Sequence, residues 1–544
     1  MQDNWAKQII QTLVDHSVRF MVFGSGYRLT PLLLKAMEHK EVELRHHLDE
    51  RGAAYRALGW AKATGQTAAV LTTSGTALAN TLPAVIEASM DAIPLLVISA
   101  DRPLEEMHCG ANQTIDQTHL FGSHVRHFLN LSLNEGYTHG DYLNASVAQA
   151  FRLTQEPVAG PVHINCAWRE PLEPDLKPSD KTDENFSVKE VVSVSKKISL
   201  PKDISDLFFG DQMGFIFVGS GISLQDQKAI LKLAETLEWP ICPDLLSGLR
   251  LRPEHSHILF SYQKLLFEDN NFSPKKLLFF GQRFVSKEVH KWVKAQNVET
   301  CVYVSPAPYR YDVHNRVTHH VLAKPHLFCQ ALASSLKKNK DDSSLKKWKK
   351  KNRDLEIAVK KEYDKLSNMG ISVVRSLLDF SKKERVLFVG NSLAVRYMDR
   401  HAPVVKKHIS ISSNRGASGI DGIVSTALGF AEGHEKPLTL LIGDLSFLYD
   451  LNALQHLKDF EKSFCFVVLN NNGGGIFEQL PIRDKVDQET YEKLYQTPHA
   501  LTFREFAVSF DIDYAQVQTL ESFQEIYEQA QIYEQRILIE VDMT

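Results

Sequence analysis

Cysteine is scarce in this 544-residue chain: six residues, at positions 109, 166, 242, 301, 329 and 465, with no CxxC pair among them. That argues against a disulfide framework or a cysteine-built zinc site and points to a reducing compartment, the cytoplasm. Long apolar runs are also missing, and none approaches the length of a membrane span. Neither sign of charge dominates. With 62 basic and 66 acidic residues the net charge is −4, which leaves no general basic surface for nucleic acid or anionic lipid. The opening MQDNWAKQII places acidic and aromatic residues where a secretory leader needs a basic start and an apolar core, so no leader is expected. No short internal repeat is visible.

What is present is the alternation of a layered α/β protein. Short apolar runs end in Gly/Ser/Thr-rich loops and are followed by helical patterns: Phe20 to Phe23 before Gly24-Ser-Gly26, Ala68 to Leu71 before Thr72 to Gly75, then Ile93 to Ile98 and Val162 to Ile164. A helix is expected over Ala53 to Thr64. Phe215 to Phe217, Leu277 to Phe280 and Val302 to Val304 read as strands of a second unit, and Arg385 to Val389 opens a third. Polar, charge-rich stretches at 175–199 and at Ser335 to Arg353 read as breaks, the latter as a linker or a solvated helix face. The expectation is three doubly wound domains with mainly parallel sheets, bounded at 1–180, 190–335 and 355–544.

Chemistry concentrates in Gly443 to Pro481, GDLSFLYDLNALQHLKDFEKSFCFVVLNNNGGGIFEQLP. Two apolar runs, Leu438 to Ile442 and Phe464 to Leu469, flank a helical segment, so Asp444 and Asn471 fall at strand carboxyl ends, where ligands bind in such sheets. With one backbone carbonyl from the glycine run they offer three hard oxygen ligands of the kind Mg²⁺ takes alongside a diphosphate and water. Either feature alone reads more simply as a helix cap or an Asn-Gly turn. Together, at this spacing, they resemble the GDG…NN signature of thiamine diphosphate enzymes, with Leu445 in place of the second Gly. The wording GDLSFLYDLNAL and NNNGGGIF is similar to one branch, the menaquinone-pathway 2-succinyl-5-enolpyruvyl-6-hydroxy-3-cyclohexene-1-carboxylate (SEPHCHC) synthases.

The resemblance implies a pyrimidine-binding, a middle and a diphosphate-binding domain, and a site shared between the subunits of a homodimer or dimer of dimers. In LDERGAAYRALGWAKATG, Glu50 matches the family's DERSA carboxylate, which hydrogen-bonds the cofactor's aminopyrimidine. The block TTSGTALAN implies pyrimidine contacts from Thr73, Ser74 and Gly75. SNRGASGIDG implies cofactor contacts from Gly419 and Ile420, the latter propping the cofactor in its V shape. Asp444, Leu445, Ser446, Asn471, Gly473, Gly474, Ile476 and Phe477 complete the cofactor set, and Asp444, Asn471 and Gly473 the ligands of Mg²⁺ or Mn²⁺. Substrate binding is implied for Arg28, Arg102, Gln113, Lys287, Ser392, Arg396 and Arg415. Each arginine alone is more often a surface ion-pair partner. Four at strand-end loops suit dicarboxylates, because guanidinium grips a carboxylate with two hydrogen bonds, and the family's substrates are 2-oxoglutarate and isochorismate.

Four positions depart from the family's wording: Gly52 for Ser in DERSA, Ser25 for Pro, Tyr27 for a Ser that helps hold isochorismate, and Glu288 beside Lys287 where a second cation is usual. Glu288 is expected to point away from the acceptor. The pair His46-His47 precedes Glu50 and reads as structural, and Gly219-Ser-Gly221 as a plain strand–helix turn. The rival readings are a thiamine diphosphate-dependent 2-oxoacid decarboxylase or carboligase with another acceptor, and a homologue that binds without reacting.

Overall fold

In the computed structural model, residues 2–132, 140–173, 197–210, 213–268, 274–336, 339, 341–363, 368–381 and 384–544 are described. Most of the stretch read as the first linker, 175–199, lies outside them. The chain folds as two compact units, one of Met1–Ser193, Asn414–Leu438 and Ser446–Lys462, the other of Val194–Ser413, Thr439–Leu445 and Ser463–Thr544.

The first unit is built on a six-stranded sheet of β1 (Phe20–Phe23), β2 (Glu43–His46), β3 (Ala68–Thr72), β4 (Leu95–Asp101), β5 (His127–Ser132) and β6 (Pro161–Ala167), in the order β2-β1-β3-β4-β6-β5. Every pairing is parallel. A parallel sheet is covered on both faces, so its central strands are apolar throughout rather than alternating. β3, β4 and β6 are buried at every position, whereas the edge strand β2 is polar and partly exposed. The period of two still sorts the side chains. Met21, Leu71 and Ile98 join one core, Phe20, Val22, Val70 and Val97 the other.

Into that second core packs the helix Glu50–Thr64, through Ala53, Ala57, Leu58 and Ala61. It begins three residues earlier than the apolar pattern suggests, because Asp49 caps it by accepting the Gly52 N–H at 2.8 Å. It ends at Gly65, which adopts a left-handed φ of +70°. Its main partner is the helix Ile423–His434. The two backbones touch where Gly59 faces the Thr426 carbonyl and Gly429 faces the Arg56 carbonyl. A Cβ would sit 2.0 Å from the first oxygen and 1.9 Å from the second.

The second unit carries two sheets. One consists of β7 (Gly214–Val218), β8 (Ile241–Pro243), β9 (Lys276–Phe280), β10 (Thr300–Ser305) and β11 (His319–Leu322), in the order β11-β10-β9-β7-β8, all parallel. The other consists of β12 (Val386–Val389), β13 (Ser410–Ser412), β14 (Leu438–Gly443), β15 (Phe464–Asn470), β16 (Asp513–Val517) and β17 (Arg536–Asp542), in the order β13-β12-β14-β15-β17-β16. Its pairings of β12 with β13 and of β17 with β15 and β16 are parallel.

The lysine-rich stretch read as a break runs into a 21-residue helix, Ser343–Tyr363. Leu345, Trp348, Asn352 and Leu355 recur at helical spacing and are buried; Trp348 and Leu355 join the core of Phe215, Phe217 and Phe279. A solvated surface carrying so many lysines hides this stripe from a compositional reading. Among the described residues no helix is long and apolar enough to cross a membrane.

Candidate functional site

In the first unit the strand order brings five loops to one carboxyl edge. They follow β1 (Gly24 to Arg28), β2 (Leu48 to Glu50), β3 (Thr73 to Gly75), β4 (Arg102) and β6 (Trp168 to Glu173). Glu50 is half-buried at the first turn of its helix, and its side chain lies against Gly24, where a Cβ would meet the Glu50 Cγ at 2.9 Å. The β3 loop is pinned by Gln113, whose side-chain amide donates to the Ser74 carbonyl at 2.9 Å while its own carbonyl accepts the Ser74 hydroxyl at 3.0 Å. Gln117 accepts the Gly75 N–H at 3.0 Å. Gln113 therefore shapes the loop that holds Thr73, Ser74 and Gly75.

The platform under Glu50 is a buried polar network. His456 Nε2 accepts the Leu48 N–H at 3.0 Å and its ring lies 3.9 Å from that of His47. Burial holds His47 well below, and His456 down to about 4 from, the ordinary imidazole value. Asp450 accepts the Ser425 N–H at 3.0 Å, and burial raises its carboxyl to about 6. His47 also explains the Gly at position 52. A Cβ there would lie 2.1 Å from the His47 Cε1, so the imidazole leaves no room for a side chain at position 52.

Arg415, Gly419 and Ile420 lie on a loop of the same unit that buried Glu87 secures, accepting the Gly416 N–H at 2.8 Å and the Ala417 N–H at 2.6 Å. Lys62 balances it, 3.3 Å from Glu87 and 2.9 Å from Asp91. Burial opposes the ammonium, but the two carboxylates outweigh it and raise its pKa. Ile420 is 38% exposed, an apolar side chain presented on a polar loop.

Arg28 is buried, donates to the Trp168 carbonyl at 2.5 Å and pairs with Glu170 at 2.8 Å. Arg102 pairs with Glu106 at 3.1 Å. Tyr27, the departure from Ser, donates to Glu173.

In the second unit the carboxyl ends of β12, β14 and β15 carry Ser392, Asp444 and the Asn-Gly run. Asp444 is buried. One carboxylate oxygen accepts the Leu445 N–H at 2.7 Å, the other the N–H groups of Asn471 at 3.2 Å and Gly473 at 2.8 Å. Gly473 takes a φ of +133°, open to glycine, and a Cβ there would meet the Gln496 carbonyl at 2.1 Å. Asn472 accepts the N–H groups of His499 and Ala500 at 3.0 and 2.8 Å, so the segment Gln496 to Leu501 is strapped to the Asn-Gly run. This brings His499 Nε2 to 3.3 Å from Asp444. Neither His499 nor Glu87 carries a sequence signal; each acquires its place through partners far along the chain.

A diphosphate–metal pair fits this loop chemically. Buried Asp444, the Asn471 side chain and a backbone carbonyl are hard oxygen donors, and around Gly443 a Cβ would find no atom within 4 Å. Among the described residues no three His, Cys, Asp or Glu side chains gather as a metal cluster. Ser392 starts the helix Leu393–His401 at a positive φ of +64°, and Arg396 donates to its carbonyl at 2.5 Å. Lys287 is exposed at the start of the helix Lys287–Ala295, and Glu288 pairs with Lys291 at 2.9 Å rather than with Lys287. Phe477 lies against Tyr495, ring centres 5.6 Å apart and tilted by 54°, and Ile476 is half-buried beside it.

Three family models match the chain: "Thiamine pyrophosphate enzyme, N-terminal TPP binding domain" over residues 3–120, "Middle domain of thiamine pyrophosphate" over 189–389 and "Thiamine pyrophosphate enzyme, C-terminal TPP binding domain" over 395–541. Curated relatives span nearly its whole length. The 2-succinyl-5-enolpyruvyl-6-hydroxy-3-cyclohexene-1-carboxylate synthase of Rubrobacter xylanophilus is 35% identical over 545 residues, 97% of this chain and 93% of its own. The proteins of that name from Salinibacter ruber and Bacillus pumilus are 34% and 33% identical, covering 99% and 96% of this chain and 93% and 91% of theirs.

Proposed function

Because the chain belongs to the thiamine diphosphate-dependent SEPHCHC synthases, we propose that it decarboxylates 2-oxoglutarate and adds the succinyl unit to isochorismate, releasing SEPHCHC and CO₂, in menaquinone biosynthesis. The observation that carries this reading is the agreement of relatives bearing that activity in their name over 97–99% of this chain. Bound thiamine diphosphate supplies the electron sink for decarboxylation. Glu50 holds a proton against N1′ of the aminopyrimidine, the one contact that must be a carboxyl. Thr73, Ser74 and Gly75 seat the pyrimidine, and Ile420, Ile476 and Phe477 wall it from water. Asp444, Asn471 and the Gly473 carbonyl would hold Mg²⁺ or Mn²⁺, with Leu445, Ser446, Gly419 and Gly474 lining the cofactor.

Arg396, Arg415 and Ser392 take the distal carboxylate of 2-oxoglutarate. Arg28, Arg102, Gln113 and Lys287 take isochorismate, and fixed cations preorganise both substrates. Glu288, drawn to Lys291, is no obstacle to an acceptor carboxylate beside Lys287. We place the enzyme in the cytoplasm as a homodimer or dimer of dimers, the pyrimidine-binding domain of one subunit facing the diphosphate-binding domain of another.

A two-substrate assay tests the reading. With cofactor and Mg²⁺, 2-oxoglutarate and isochorismate should yield SEPHCHC and CO₂ in equal amounts, and pyruvate should not replace 2-oxoglutarate. Consumption of 2-oxoglutarate without coupling to isochorismate would mean a different acceptor.

A further inference from the structure

The guanidinium groups of Arg28 and Arg102 share one carboxylate oxygen of the chain's own. Glu170 Oε1 lies 2.8 Å from Arg28 Nη2 and 3.7 Å from Arg102 Nη1. The burial of the partners is unequal. The Arg28 side chain is 4% exposed and that of Arg102 16%, whereas Glu170 is 59% exposed. Burial, then the charge of Arg102, work against the charge on Arg28, so this pair needs an anion close by. Glu106, 3.1 Å from Arg102, and Asp101 supply part of that charge, and Glu170 adds a single oxygen that both guanidinium groups share. The Nε atoms of both arginines are buried and have no hydrogen-bond partner. A guanidinium presents Nε and Nη as a fork to a carboxylate, and one prong of each fork is unused.

The segment bearing Glu170 is tied to the same loops at further points. Arg28 Nη1 donates to the Trp168 carbonyl, Arg169 pairs with Glu105, and Tyr27 donates to Glu173. These ties keep the backbone in place whether or not the Glu170 carboxylate stays on the arginines. A half-exposed carboxylate that swings off regains water at once, so releasing it costs little.

We propose that Glu170 is an internal, displaceable carboxylate that occupies the acceptor-carboxylate subsite between Arg28 and Arg102 while no acceptor is bound. It adds to Glu106 and Asp101 in compensating the two neighbouring cations of the empty enzyme, and weakens acceptor binding by having to be displaced. It competes equally with every carboxylate at that subsite, so it sets the affinity for the acceptor and not the choice among acceptors. This rests on the reading of Arg28 and Arg102 as the acceptor side.

The test compares wild type, Glu170→Gln and Arg102→Ala as holoenzymes. Two quantities are read: the KM values for both substrates, and the isochorismate concentration giving half-maximal protection against thermal unfolding with 2-oxoglutarate omitted. Glu170→Gln removes the competing charge, so the isochorismate KM and the protection midpoint should both fall, roughly two- to fivefold for an exposed ion pair. The 2-oxoglutarate KM should not move. Glu170→Ala should act in the same direction. If Glu170 instead held Arg28 in place, both variants would raise the isochorismate KM; a rise, or no change, overturns the proposal while a raised KM in Arg102→Ala leaves the acceptor subsite standing. An unchanged isochorismate KM in Arg102→Ala overturns the subsite assignment and the proposal with it.

Discussion

At Asp444 three backbone N–H groups already fix the carboxylate, and among the described residues His499 is its one side-chain contact. A cation approaching this carboxylate meets a rigid ligand, and only the histidine contact has to yield. Asp444→Ala should therefore abolish the rise in melting temperature that thiamine diphosphate and Mg²⁺ together confer. For a saturated wild type at a hundredfold excess over Kd that stabilisation is about 2.7 kcal/mol. Calorimetry with and without the pair checks it, and an undiminished rise in the variant would remove Asp444 from the metal site. His456 supports a prediction in pH. Its Nε2 accepts the Leu48 N–H, so protonation there breaks the bond that leads into Glu50. Burial holds its pKa near 4, below the 6.5 of an unfolded chain. Above pH 6.5 neither state carries the proton; as pH falls from about 6.5 toward 4 the unfolded chain gains it first and the fold loses stability. His456→Gln, whose side-chain oxygen can still accept from Leu48, should flatten this acid limb. Urea midpoints between pH 7.5 and 4.5 are the measurement, and parallel limbs would refute the role.

The helix that presents Glu50 depends on its neighbour. Read alone, Gly59 is a weak point, costing about 1 kcal/mol relative to Ala in a helix interior. In the folded chain the sign reverses, because a Cβ at Gly59 would lie 2.0 Å from the Thr426 carbonyl of the helix Ile423–His434. Backbone cannot yield as a side-chain tip does, so Gly59→Ala should destabilise, by roughly 1–3 kcal/mol as overpacking does. Denaturant midpoints would show it, and an equal or higher stability would mean the helices can slide apart freely. The helix over Ala53 to Thr64 was legible in the sequence, whereas its partner was not. The lysine-rich helix Ser343–Tyr363 misled in the same way, since Trp348 shows its buried role only against Phe215.

Three parallel sheets repeat one rule, chemistry at the strands' carboxyl ends. The proposed exchange of domains across subunits makes a prediction for the assembled molecule. Glu50→Gln and Asp444→Ala proteins, each inactive, should regain part of the activity when dissociated and reassociated together, since hybrid dimers carry one site with both residues intact. Activity should rise toward a quarter of the wild-type level if subunits exchange at random, on the pairing statistics of a two-fold assembly. A mixture as inactive as its parts would place both residues in one chain's site.

The sequence by itself determined the apolar strands such as β3, β4, β14 and β15, the loops that end them and the residues those loops carry. Apolar runs such as Leu95 to Ile98 and backbone demands such as the Asn-Gly run after β15 are properties of neighbours in the chain, so composition and spacing express them. Tertiary structure alone decided what each functional side chain touches. Arg28 meets Glu170 across 142 positions and Glu87 meets Gly416 across 329. Those meetings follow from strand order and helix crossing, and they are set by the burial of whole layers, which no local pattern records.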